Sequence, residues 1–375
     1  MLPRFLILLS ASFLCLAPFF ARAEDGPREK IILDQDALGP ATSNLESLLM
    51  IIQSPHADVL GITVISGDGW RDENVAHTLR MLEIIGRTDI PVVPGAVNPL
   101  VNSREATKRW ETLYGKLVYK GCWTDEWPKD GANGERRSVH APDFVPPLKE
   151  GDPTTKPSAE AAASFLIRKV HEFPGQVTIY AAGPMTDVAL ACELDAQFPK
   201  LVKELVIMGG SIEPIPTSSP FSLEFRYTPR LEFNFRFDPE AAHIVMHAPW
   251  NKLVQIPADP TTTTELTQAM LDQIATVKTP VAQYISKYGE VGYPLWDEVA
   301  SAVWLEPSIV VKSEQMFEDV DTSFTAGYGN TLSWDAAHAP GLGEQKVTVV
   351  ESIDVPRLNK LFVSLMQAPT PPPVK

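Results

Sequence analysis

The stretch "KIILDQDALGPATSN", residues 30–44, decides how this sequence is read. Ile31, Ile32 and Leu33 form a continuous apolar run, the pattern of a short strand buried on both faces. Asp34 and Asp36 follow, one residue apart, so in extended geometry they point to the same face. Two carboxylates at a strand's C-terminal end suit a cation or a general base, unless one of them caps a turn. The following residues should then bring further oxygen ligands, yet they offer alanine, glycine, proline and hydroxyls. Ser43, with Glu46 three residues on, reads as a capping box for the next helix.

Outward from this stretch, strand-like runs alternate with amphipathic helical patterns. "DVLGITVIS", "IPVVPG", "QVTIYAAG", "ELVIMGG" and "KLVQIP" read as strands. "SNLESLLMIIQS", "NVAHTLRMLEIIG", "AEAAASFLIRKVHEF", "MTDVALACEL" and "DPEAAHIVMHA" read as helices between them. This order predicts an α/β fold: a doubly wound, open, mostly parallel sheet with helices on both faces. Ligands bind beyond the C-terminal ends of such strands, where "DQD", "SGD", "AAGP" and "MGG" all fall. Three irregular stretches, 101–157, 212–230 and 312–345, are expected to lie over that edge as inserted loops, the last as strands and loops.

The N-terminus has a basic start, an apolar stretch and a small-x-small "ARA" before Glu24, which reads as a secretory signal over residues 1–23. A single domain over 24–366 and a disordered Pro-rich tail over 367–375 follow, in an exported protein with no membrane association after cleavage. The formal net charge of −15 argues against nucleic acid or anionic membrane as a partner, because phosphate binding needs clustered Lys and Arg. Cys15 leaves with the signal; Cys122 and Cys192 make neither a disulfide framework nor a zinc site, and a bridge between them stays open. Cys192, in an apolar helical pattern, reads as a core residue.

Two further stretches carry chemistry. In "EFNFRFDPEAAHIV", 232–245, Glu232 and Asn234 alternate with Phe233 and Phe235, giving a polar face able to bond sugar hydroxyls. Asp238 and Pro239 read as the N-cap and first turn of a helix. In "PLWDEVASAVWLEP", 294–307, Asp297 is a helix cap or a ligand, and Trp296 is core or a stacking surface for an aromatic base.

Together these stretches resemble the inosine-uridine-preferring nucleoside hydrolase family across almost the whole chain after residue 23. "LDQD" (33–36) is similar to the family's opening acidic motif, and Gly67-Asp68 stands at its Gly-Asn. "PVVPGAVNPL" (91–100), "AAGPMTDVALA" (181–191), "ELVIMGGSI" (204–212) and the two stretches above match its later motifs in order. The resemblance implies the nucleoside hydrolase fold and hydrolysis of the N-glycosidic bond of ribonucleosides. It implies a Ca²⁺ at the sheet edge, holding the ribose diol and a water. Asp36 falls on the general base that also binds the metal, Asp297 on a late metal carboxylate, and Ala182 on a backbone carbonyl ligand. Glu232 and Asn234 fall on ribose contacts. Trp296 stands where pyrimidine-tolerant members carry histidine, which points to purine preference, with Trp123 or Trp127 as a second stacking slab. A homo-oligomer follows by analogy.

The family's paired aspartates have no counterpart. One register puts Thr42 and Ser43 there, and an ungapped one puts Pro40 and Ala41 there. Thr42 is then a substrate contact and Ser43 a metal ligand, and the lost carboxylate weakens the ion site. Asp68 compensates on the pocket wall; Asp187 instead caps the helix after it. Three readings stay open: a nucleoside hydrolase with a rebuilt metal site, a nucleoside- or sugar-binding homologue that has lost the metal and catalysis, or a hydrolase of a different glycosyl substrate admitted by the reshaped loop at 37–43.

Overall fold

The computed structural model describes residues 28–124, 139–214 and 223–374. The signal segment, Trp127 and the centre of the 212–230 stretch lie outside them. Nine strands appear among the described residues: β1 Glu29–Gln35, β2 Ala57–Val64, β3 Val92–Pro94, β4 Val177–Ala181, β5 Glu204–Met208, β6 Leu253–Ile256, β7 Val310–Val320, β8 Thr331–Trp334 and β9 Lys346–Ile353. They form one sheet in the order β3-β2-β1-β4-β5-β6-β9-β7-β8. Neighbours from β3 through β9 pair parallel, while β7 pairs antiparallel with both β9 and β8.

Side-chain alternation along each strand builds two cores. Ile31 and Leu33 of β1 face one layer and Ile32 the other; Val206 and Met208 of β5 oppose Leu205 and Ile207 in the same way. The first layer is covered by α1 Ser43–Ile52, α2 Arg71–Ile85, α11 Gln268–Ile274, α12 Pro280–Tyr288, α13 Trp296–Leu305 and α14 Val355–Gln367. The second is covered by α4 Ala162–Glu172, α5 Thr186–Leu194 and α9 Pro239–His247. Shorter or peripheral helices are α3 Arg104–Tyr114, α6 Phe198–Leu201, α7 Leu223–Tyr227, α8 Phe233–Phe237 and α10 Ala258–Thr261. No helix among the described residues is long and apolar enough to cross a membrane.

The strand order reverses between β1 and β4, whose chains leave the sheet on opposite sides and open a crevice beyond their C-terminal ends. Asp36 and Ala182 each lie just past those two strands.

Cys122 and Cys192 are both free, which closes the question of a bridge between them. Several local expectations change. Thr42, not Ser43, precedes α1, and Glu46 turns into the protein, so no capping box forms. Residues 233–237 are helical rather than extended. The Pro-rich tail is not loose: the carbonyls of Ala368 and Pro372 accept from Gln53 Nε2 at 2.7 Å and Arg28 Nη1 at 3.0 Å.

Candidate active site

Asp36 leaves β1 one residue past its end and is 1% exposed. Two glycines let the backbone close on it. A Cβ on Gly67 would lie 2.1 Å from Asp36 Oδ2, and one on Gly183 would lie 2.8 Å from the Asp36 backbone nitrogen. The carboxylate accepts the Asp68 N–H at 2.7 Å and the Asn44 side-chain amide at 3.0 Å. Burial, then the charges of Asp68 and Asp297, hold its pKa well above the usual carboxylate range.

Asp34 does not share that position. It accepts Thr63 Oγ1 at 2.5 Å on β2, and burial followed by the Asp187 charge raises its pKa. Asp187 does not cap α5; it sits in the first turn and accepts the Ala96 N–H at 2.9 Å, tying down the loop after β3.

Above Asp36 opens a cavity of about 430 Å³, lined in part by Thr42, Asn44, Asp68, Ala182, Met208, Glu232, Asn234, Trp296 and Asp297. Asp36 itself lies just beneath the floor, covered by Asn44. Asp297, at the second position of α13 rather than its cap, is held by the Ser43 hydroxyl on its N–H at 3.2 Å and the Tyr180 hydroxyl on its carbonyl at 2.9 Å. Burial, then Glu298, raises its pKa well. Glu232 caps α8: Oε1 accepts the Asn234 N–H, and Oε2 accepts those of Gly210 and Phe235. Burial pushes it up to about 7 despite those donors. Asn234 donates its side-chain amide to the Met208 carbonyl at 3.0 Å.

The aromatic lining is Trp296 with Tyr293 edge-on to it, their centroids 6.3 Å apart, and a second edge-on pair, Phe233 with Tyr119. Trp123 is not a second slab. It stacks on Phe237 at 4.3 Å inside a small cluster with Trp70.

Sequence reasoning missed the residue that matters most here. Asn44 Nδ2 reaches Asp36 Oδ1, Gln35 Oε1 at 3.3 Å and Asp297 Oδ2 at 3.5 Å, while Gln35 Nε2 donates to the same Asp297 oxygen at 2.9 Å. The signal was present: side chains at a helix start lean toward its N-terminus, so the first turn of α1 aims at the end of β1. Ser43, expected as a ligand, instead donates to Glu298 Oε2 at 2.6 Å. Also unforeseen were Tyr119, which donates to Asp68 Oδ1 at 2.6 Å, the buried carboxyls of Glu298 and Glu46, and the half-buried one of Glu224.

As its amides stand, this donor set does not fit the divalent ion that the resemblance implies. Amide N–H groups face the space between Asp36 and Asp297, and N–H groups do not bind cations. Turning the Asn44 amide over would bring four oxygens together, an arrangement that only a bound cation favours; as the amides stand, hydrogen bonds join the carboxylates instead. Among the described residues, Asp36 and Asp297 belong to no trio of acidic, cysteine or histidine ligand atoms converging on one point.

A parallel sheet with its crevice at the β1/β4 reversal, over a buried acidic centre, defines an α/β protein built around a small-molecule pocket. The inosine-uridine preferring nucleoside hydrolase family profile matches residues 31–360, and the chain belongs to that family of hydrolytic enzymes. A probable uridine nucleosidase 2 of Arabidopsis thaliana is 27% identical over 90% of this chain and 97% of its own. The pyrimidine-specific ribonucleoside hydrolase RihA of an Enterobacter strain is 28% identical over 86% and 87%. A solved plant nucleoside hydrolase superposes with a TM-score of 0.69 at 23% identity, covering 92% of this chain and all of its own, a likeness of fold.

Proposed function

We propose that the pocket hydrolyses the N-glycosidic bond of a ribonucleoside, with Asp36 taking the proton of the attacking water. The observation that carries this reading is the single cavity bounded by Ala182, Glu232, Asn234, Trp296 and Asp297 directly above Asp36. Asn44 is the cover: a nucleoside hydroxyl that draws its amide away uncovers Asp36 Oδ1. A buried carboxylate with a raised pKa is, once ionised, a stronger base than an exposed one, which suits abstraction of a proton from water. The acidic walls favour the positive charge that develops on the ribosyl ring as the bond breaks. Glu232 offers the sugar only the lone pairs left over from capping α8, so Asn234 and Thr42 complete the ribose contacts. Trp296 stacks the base, and its place supports a purine preference, although two of the relatives are named for uridine or pyrimidines. Export rests on the N-terminal segment alone.

A second reading has its own support: Asp36 lies under Asn44, with hydrogen bonds to both oxygens, which suits a nucleoside-binding protein without catalysis. Chromatographic release of base from inosine, adenosine and uridine, with and without a chelator, separates the two. Hydrolysis predicts release that survives the chelator and falls by about 10²-fold or more in Asp36→Asn. Calorimetric nucleoside binding with no base released from any of the three would establish the second reading instead.

A further inference from the structure

Away from the pocket, two histidines one helical turn apart on α9 face one carboxylate on β7. His243 Nδ1 lies 2.6 Å from Asp319 Oδ1, and His247 Nε2 lies 3.1 Å from Asp319 Oδ2. The three side chains are partly buried, and their ligand atoms all lie within 4.8 Å of one another. Each carboxylate oxygen thus faces a different imidazole.

We propose that His243, His247 and Asp319 form a binding site for a divalent transition cation, zinc foremost, that pins α9 to β7. Positions i and i+4 of a helix stack on one face, which is how two imidazoles come to share an ion. Neighbouring ligands on a tetrahedral zinc with bonds of about 2.0–2.1 Å stand roughly 3.3 Å apart, so the gaps of 2.6 and 3.1 Å from the two imidazoles to Asp319 need open only slightly. Imidazole nitrogen selects zinc and its neighbours over calcium. Asp319 Oδ1 also accepts its neighbour Val320's N–H at 2.7 Å, which orients the carboxylate. The partly exposed face leaves a fourth position for water.

A plain ion pair accounts for less of this geometry. The two rings stand 4.3 Å apart, so charging both would set like charges side by side against one carboxylate. His247 Nε2, though close to Asp319, makes no aligned hydrogen bond. A divalent ion among the three gives every one of these lone pairs a partner. Because α9 follows directly on the 232–237 segment, the ion would also steady the helix behind the pocket wall.

The test is calorimetric titration of the chelator-treated, dialysed full chain with ZnCl₂ and separately with CaCl₂, alongside thermal unfolding. The expected result is one zinc per chain, a higher Tm with zinc and no such effect of calcium. His243→Gln and His247→Gln should each weaken zinc binding on the order of 100-fold and abolish the Tm shift. Asp36→Asn, in a different part of the fold, should keep both. Visible absorption of the cobalt-loaded chain gives a second readout of tetrahedral nitrogen ligation, lost in the His247 variant. No zinc uptake by the parent chain, or unchanged uptake in both histidine variants, overturns the proposal.

Discussion

Asn44 donates its side-chain amide to Asp36 at 3.0 Å and to Asp297 at 3.5 Å, linking two buried carboxylates through hydrogen rather than through an ion. Asn44→Asp should therefore change the chemistry of the floor. Without metal, a third buried carboxylate is unpaired and should cost about 3–5 kcal/mol of stability. With millimolar Ca²⁺ the loss should be recovered, whereas the parent chain should gain no comparable stability. Urea unfolding of both proteins with and without calcium checks this, and equal indifference to calcium would sink the idea.

Stability should fall as pH rises from about 5 to 8.5. Glu318 in β7 is buried, and burial raises its pKa to about 8; Asp187 and Glu298 rise to about 7 for the same reason. A carboxyl that holds its proton longer when folded stabilises fully below its unfolded pKa near 4.5, and that contribution is lost as pH climbs through the folded value. For Glu318 alone the loss is on the order of 2–4 kcal/mol. Glu318→Gln should shrink the difference in urea midpoint between pH 5.5 and 8.5; an unaltered difference would show that the carboxyl is not the source.

Trp296→Ala removes the stacking face but leaves Asp36, Asn44 and Gln35 in place. Loss of about 1 kcal/mol of aromatic contact predicts a KM raised roughly fivefold, with a larger rise for inosine than for uridine. Steady-state kinetics on both nucleosides decide it; equal effects on the two would argue against base stacking at this wall.

Glu232→Ala should cost stability as well as binding. Its carboxylate satisfies three backbone N–H groups, so removing it uncaps α8 at about 1–2 kcal/mol. Glu232→Gln keeps one acceptor oxygen and should recover part of that. If Glu232→Ala unfolds at the parent midpoint while losing nucleoside affinity, the residue serves the ligand alone.

The parallel half of the sheet was legible because strands buried on both faces are continuously apolar, and all six such runs became strands. The helices over 268–288 were not, since "QAMLDQI" is short and each helix buries a narrow stripe. Asp68, Ala182, Glu232, Asn234, Trp296 and Asp297 were all marked in sequence, and all line one cavity. What could not be read was register after Asp36. The turn at Gly39–Pro40, with Ala41 at a φ of 46°, displaces the helix start so that Asn44, not Ser43, meets the carboxylates. Nor does residue type reveal that Glu232 folds back on its own helix.

The tail bound by Arg28 and Gln53 has a practical consequence. Arg28 precedes β1, so the last prolines lie at the strand's N-terminal end, roughly 20 Å from the crevice at its other end. An affinity handle or surface tether joined after the tail would hold the molecule by its base and leave the cavity mouth facing solution.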